Sequence, residues 1–164
     1  MNNTRLLTVL LLMILLVGTG CNAGNVDTPE QVHDPMGKQE EVADDVIIRY
    51  AAAIRDRDAK ELVKLYGGDY DCLSGFSEEG VRDDKEQVFK NYLNAVLPGS
   101  IELSEIVEKE VIGDQAYRYT LTFKNADGTQ FEVREAENSN HLFQYTVQMM
   151  DDQYKVMEPP PYQP

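Results

Sequence analysis

Apolar residues recur with two different periods along this chain, and the change of period divides it. From Gln39 onward, Val42, Val46, Tyr50 and Ile54 return every fourth position, with Ile47 and Ala51 widening the stripe, which predicts an amphipathic helix. Arg49, Arg55, Asp56 and Arg57 fall off that stripe and read as a solvated face. Asp58-Ala59-Lys60-Glu61 has the spacing of a helix N-cap with its reciprocal partner. A short second helix is therefore expected, burying Leu62, Leu65 and Tyr66 and ending at Gly67-Gly68, where glycine tolerates positive φ. Residues 69–80 are rich in turn formers, with room for one short strand. A third helix is expected from Asp83 or Asp84, facing inward with Val88, Phe89, Tyr92, Leu93, Val96 and Leu97 and stopped by Pro98-Gly99.

After Gly99 the period falls to 2. Ile101, Leu103, Glu105 and Val107 alternate with Glu102, Ser104 and Glu108, and Gly113-Asp114 marks a turn. Tyr117, Tyr119, Leu121 and Phe123 then alternate with Arg118, Thr120, Thr122 and Lys124, the pattern of a half-buried strand. Asn125-Ala126-Asp127-Gly128 reads as a hairpin loop, Phe131 and Val133 continue the buried face, and Glu135–Asn140 reads as polar loop. His141, Phe143, Tyr145, Val147 and Met149 form the inner face of a further strand, Asp151-Asp152 turns it, and Tyr154–Met157 closes the sheet. Helices first and an antiparallel meander second predict the α+β class.

The N-terminus has neither period. Leu6 to Val17 is apolar except for Thr8, and Arg5 is the one charged side chain among residues 1–20. As a helix this run would rise about 18 Å, too short for a hydrocarbon core of roughly 30 Å but suited to a secretory signal. Gly18-Thr19-Gly20-Cys21 resembles the lipobox of bacterial lipoproteins, with Thr19, Gly20 and Cys21 on the pattern and Gly18 where an aliphatic residue is usual. The resemblance implies cleavage before Cys21, acylation of its thiol, and anchoring to the membrane on its extracytoplasmic face rather than spanning. An ordinary secreted protein with a cysteine near its cleavage site is one competing account, and an uncleaved membrane anchor, which the short span disfavours, is the other. Residues 22–38 hold two prolines and two glycines and little apolar content, so residues 21–38 are expected to form a flexible tether. A single domain with a Pro-rich tail is expected over 39–164.

Composition narrows the function classes. With 15 Lys and Arg against 29 Asp and Glu, the net charge is −14, which argues against a nucleic-acid partner. Two cysteines and two histidines offer neither a disulfide framework nor a histidine-rich metal site, and no metal or cofactor is expected. The acidic pairs Asp44-Asp45, Asp83-Asp84 and Asp151-Asp152 lack the spacing of a calcium loop. Cys72 reads as a small buried hydrophobe, and Pro159-Pro160-Pro161-Tyr162 as an extended tail laid on the surface.

The stretch VIIRYAAAIRDRDAKELVKLY, a long helix, a break at an Arg-Asp pair, and a helix ending in Leu-Tyr, resembles the nuclear-transport-factor-2-like superfamily, over about residues 40–158. That resemblance implies a cone, with N-terminal helices packed in the concavity of a curved antiparallel sheet and a pocket between them. Its inner face would carry Tyr50, Glu105, Tyr117, Tyr119, His141, Phe143 and Tyr145, together with Phe123. Tyrosines offer an apolar body with a polar tip, suited to a small amphipathic ligand or a peptide, and are equally at home as plain core residues. Enzymes of the superfamily move protons with carboxylates or an Asp-His pair on such positions, and here only Glu105 and His141 qualify. No catalytic pair is assigned. The expectation is a non-catalytic binding or interaction domain for a small ligand, a peptide or an envelope protein, with an isomerase- or hydrolase-like enzyme using Glu105 and His141 as the alternative.

Overall fold

The computed structural model describes residues 35–97, 99–135 and 138–162, so the signal, Cys21 and most of the tether lie outside the described residues. Helix α1 runs Pro35–Asp56, starting four residues before Gln39 and so taking in residues 35–38, which were expected to belong to the tether. Proline suits the first helical turn because no N–H is needed there, and a polar first turn carries no periodic signal. The buried stripe is Ala43, Val46, Ile47, Tyr50, Ala51 and Ile54, while Val42 is 47% exposed, so small alanines carry part of the face assigned to valine.

The junction with α2 (Ala59–Leu65) is a left-handed helix stop. The N–H of Asp58 donates to Ala53 O at 2.9 Å and that of Arg57 to Ile54 O at 3.2 Å, with Arg57 at φ +54. Glycine normally fills this position, because a side chain there costs about 1–2 kcal/mol. Arg57 is not the solvated residue the pattern suggested. Its guanidinium donates to Asn94 Oδ1 at 2.9 Å and Leu97 O at 2.5 Å, capping the next long helix with a positive charge where the helix dipole favours one. Asp58 caps α2 as expected, accepting the Glu61 N–H at 3.0 Å. The reciprocal half is not made: the Glu61 carboxylate pairs with Arg49 and Lys64 instead.

Gly67 and Gly68 end α2 for a different reason from the one expected, since neither has positive φ. A Cβ on Gly67 would lie 2.7 Å from Lys155 Cβ, and one on Gly68 2.0 Å from Met157 O, so the glycines admit the last strand. Residues 69–80 hold no strand but a short helix α3 (Asp71–Ser74) and a 3₁₀ turn at Glu79–Val81. Helix α4 (Lys85–Val96) is capped by Asp84, which accepts the Gln87 N–H at 3.0 Å, and buries Val88, Phe89, Tyr92, Leu93 and Val96.

Strands β1 (Ile101–Gly113), β2 (Ala116–Asn125), β5 (Phe143–Met150) and β6 (Gln153–Val156) form one antiparallel sheet in the order β1-β2-β5-β6. Between β2 and β5, β3 (Val133–Glu135) and β4 (Asn138–Asn140) pair as a small antiparallel ladder where a plain loop was expected. β2 keeps its phase: Tyr117, Tyr119, Leu121 and Phe123 all face the helices and are at most 3% exposed. β1 does not. Its pairing with β2 shifts between Leu103 and Glu105, between Ile106 and Glu108, and again before Gly113. Such bulges bend the strand, and the sheet curves with the helices against one face. Asp151 and Asp152, both at positive φ, make the two-residue turn from β5 to β6.

Two stability contrasts follow. Tyr119→Ala should cost about 3–5 kcal/mol in urea denaturation, and Thr120→Ala, which faces the other side of the sheet, far less. Arg57→Ala should destabilise by about 1.5–3 kcal/mol, because the cap on α4 goes while the left-handed strain stays, and Arg57→Gly should cost less.

Candidate functional site

The bulges in β1 decide which side chains reach the inner face. Without them Glu105 would point at the helices with Leu103. The extra residue at Ser104 turns Glu105 outward, opposite Thr122, and brings Ile106 inward, opposite Leu121. The extra residue at Val107 then carries Lys109 inward, opposite Tyr119. Lys109 meets two carboxylates that α1 presents one turn apart, Glu40 and Asp44, which share a face at this spacing.

The result is a compact polar knot. Lys109 Nζ lies 2.5 Å from Asp44 Oδ1 and 2.8 Å from Glu40 Oε1. The Tyr119 hydroxyl donates to the same Asp44 oxygen at 2.7 Å. The ammonium also sits 5.2 Å from the Tyr117 ring centre and 5.5 Å from that of Tyr119, within cation–π range. Burial alone would lower the Lys109 pKa, but its bonds to Asp44 and Glu40 outweigh that and hold it above the ordinary lysine value. Burial, reinforced by Asp44, pushes the Tyr119 hydroxyl well above the ordinary tyrosine value. A protonated lysine, a neutral phenol and a carboxylate already accepting from both fasten α1 to the sheet.

Glu105 and His141, expected on the inner face, sit elsewhere. Phe131 donates its N–H to Phe123 O at 2.9 Å, taking the place beside β2 that a longer β5 would have occupied. His141 therefore lies before the ladder begins and is exposed. Both residues line one groove of about 480 Å³ with Ser104, Val107, Thr122 and Lys124. The groove is open to solvent, and neither side chain has a hydrogen-bonding orienter of the kind that general acid–base catalysis uses among the described contacts.

The aromatic residues split between packing and bonding. Tyr50 meets Tyr145 edge-on at 6.0 Å, and its hydroxyl donates to Glu158 O at 2.9 Å. Tyr145 packs on Phe123 at 6.3 Å, and half-buried Phe143 lies between Phe123 and Phe131 at 5.5 and 5.7 Å. Tyr117 neighbours Tyr154, whose buried hydroxyl lacks a hydrogen-bond partner. Cys72 is an exposed free thiol rather than a buried hydrophobe, since Leu73 takes the inward position of α3. Sequence reasoning missed Glu40, Asp44 and Lys109. The four-residue spacing of the two acids was a usable signal, and continuing the Ile101-Leu103-Glu105-Val107 alternation reaches Lys109, the phase to which the two bulges together return it. Compared with protein-family models and with curated proteins, the chain matches none.

The tyrosines set the response to alkali. Tyr50, Tyr66, Tyr92, Tyr119 and Tyr145 are all raised above 10.0, in each case chiefly by burial. A group whose pKa is higher folded than unfolded contributes stability that is complete below its unfolded value and lost above it. The urea midpoint should hold from neutrality to about pH 10 and then fall steeply, with tyrosinate absorbance rising as the fold is lost.

Proposed function

We propose that this chain is an extracytoplasmic lipoprotein, held to the membrane through a lipidated Cys21, whose nuclear-transport-factor-2-like domain binds a partner rather than catalysing a reaction. The observation that carries the binding reading is the commitment of the inner polar groups. Lys109 is paired with Asp44 and Glu40, and the hydroxyls of Tyr119 and Tyr50 already donate to Asp44 and to the backbone. The cone assignment is supported by helices against one face of a four-stranded antiparallel sheet whose first strand is bulged. The anchoring reading is supported by the sequence. Thirteen residues separate Cys21 from Pro35, a reach of at most about 45 Å. A chain of net charge −14 gains nothing from anionic headgroups, so acyl chains would have to supply the attachment. The partner would be a small amphipathic molecule, a peptide or an envelope protein.

One observation favours the enzymatic alternative: Glu105 and His141 do line a common solvent-open groove. An isomerase- or hydrolase-like activity would work there, on the outer side of the sheet.

Expressed with its signal, the chain should enter the detergent phase and carry a lipid-sized mass increment on an N-terminal Cys21. Cys21→Ala should remove the increment and shift the protein to the aqueous phase. A mature chain beginning elsewhere, with an unmodified Cys21, would refute the anchoring.

A further inference from the structure

The chain does not leave the domain at the end of β6. Met157 donates its N–H to Thr146 O at 2.9 Å, the last contact of sheet type, and the Glu158 side-chain carboxylate then accepts the Thr146 N–H at 2.5 Å. Pro159, Pro160 and Pro161 follow, and three successive prolines have no N–H to offer. Such a segment cannot extend the sheet as a donor. It can be held only through its carbonyls and its rings.

The fold holds it in both ways. The Tyr50 hydroxyl donates to Glu158 O at 2.9 Å and the Tyr92 hydroxyl to Pro160 O at 2.9 Å. The donors come from α1 and α4, so the segment crosses between the two long helices. Pro160 and Pro161 are buried, contrary to the expectation of a tail lying on the surface. Phe76 packs edge-on against Tyr92 at 5.4 Å and receives the Tyr162 ring at 6.1 Å. Hydroxyls aimed at alternate carbonyls, within the aromatic cluster of Phe76, Tyr92 and Tyr162, are the chemistry by which proline-rich segments are recognised.

We infer that this aromatic cleft is a polyproline-binding site occupied in cis by residues 158–162, and that it accepts a proline-rich segment of another chain when the cis segment lets go. Exchange replaces like with like. The two hydroxyl bonds and the ring contacts are lost to one segment and regained with the other. What favours the cis segment is its tether, equivalent to an effective concentration in the millimolar range for a short link. A competing segment therefore needs a comparable local concentration or a weakened cis contact. The cleft lies apart from the groove of Glu105 and His141, and the inference depends neither on that groove nor on lipid anchoring.

The test uses the full-length chain in detergent and a fluorophore-labelled peptide MEPPPYQP, the sequence of residues 157–164. Replacing the buried prolines, Pro160→Asp with Pro161→Asp, should release the cis segment, and anisotropy should then report peptide binding at least about tenfold tighter than to wild type. Adding Tyr50→Phe and Tyr92→Phe should cancel the gain, and a peptide with alanine at every proline should not bind. A released variant that keeps its circular dichroism but does not bind the peptide, or binds the alanine peptide equally, overturns the inference. If the released variant fails to fold, wild type decides. Loss of the Tyr162–Phe76 nuclear Overhauser contact with rising peptide supports exchange, and its persistence at millimolar peptide overturns it.

Discussion

A phenol enters a protein core at least cost when its hydroxyl finds an acceptor there, since an unpaired buried donor costs about 1–3 kcal/mol. This core is built largely from tyrosine, and that requirement fixes the position of parts that apolar packing alone would leave loose. Tyr119 draws Asp44, and with it α1, onto the sheet. Tyr66 holds the loop after α2 through Asp69 O at 2.8 Å, and Tyr50 and Tyr92 hold the proline segment. Tyr154 is the exception among the described residues. Its hydroxyl is buried beside Tyr117 with no partner at hydrogen-bond geometry, and burial chiefly pushes its pKa up to about 12.

The second constraint is the phase of β1. A strand offers its faces alternately, so one extra residue exchanges every later side chain between core and solvent. Two extra residues within a few positions exchange them and then exchange them back. Glu105 is sent outward, Ile106 is recovered for the core, and Lys109 is returned to the inward phase that alternation from Ile101 and Leu103 would have given it without either bulge. The first shift thus gives the outer groove its Glu105, and the second restores the inward phase that the polar knot uses.

The periodic parts of the fold were legible in the sequence. Four-residue recurrence gave α1 and α4, the Asp58 cap lay where its spacing put it, Asp84 of the Asp83-Asp84 pair capped α4, and the alternation from Tyr117 to Phe123 gave β2 with the correct face inward. What stayed hidden has no local signature. A bulge at Ser104 or Val107 depends on how β2 pairs, not on either residue's propensity. Gly67 and Gly68 look like a helix stop, yet answer to the passage of β6 more than eighty residues later in the chain. For the candidate site the same division holds. The buried tyrosines were named from their pattern, whereas the displacement of His141 follows from Phe131 bonding to Phe123, a contact no period encodes.

β1 is also the border of the sheet, with a partner on one side only and with Val107 and Val111 exposed. A straight border of thirteen residues with apolar side chains would be a template on which a second copy could lay its own β1, and so on into a fibre. Each register shift breaks the regular row of donors and acceptors that such growth needs. The kinked border thus acts as a safeguard against self-assembly.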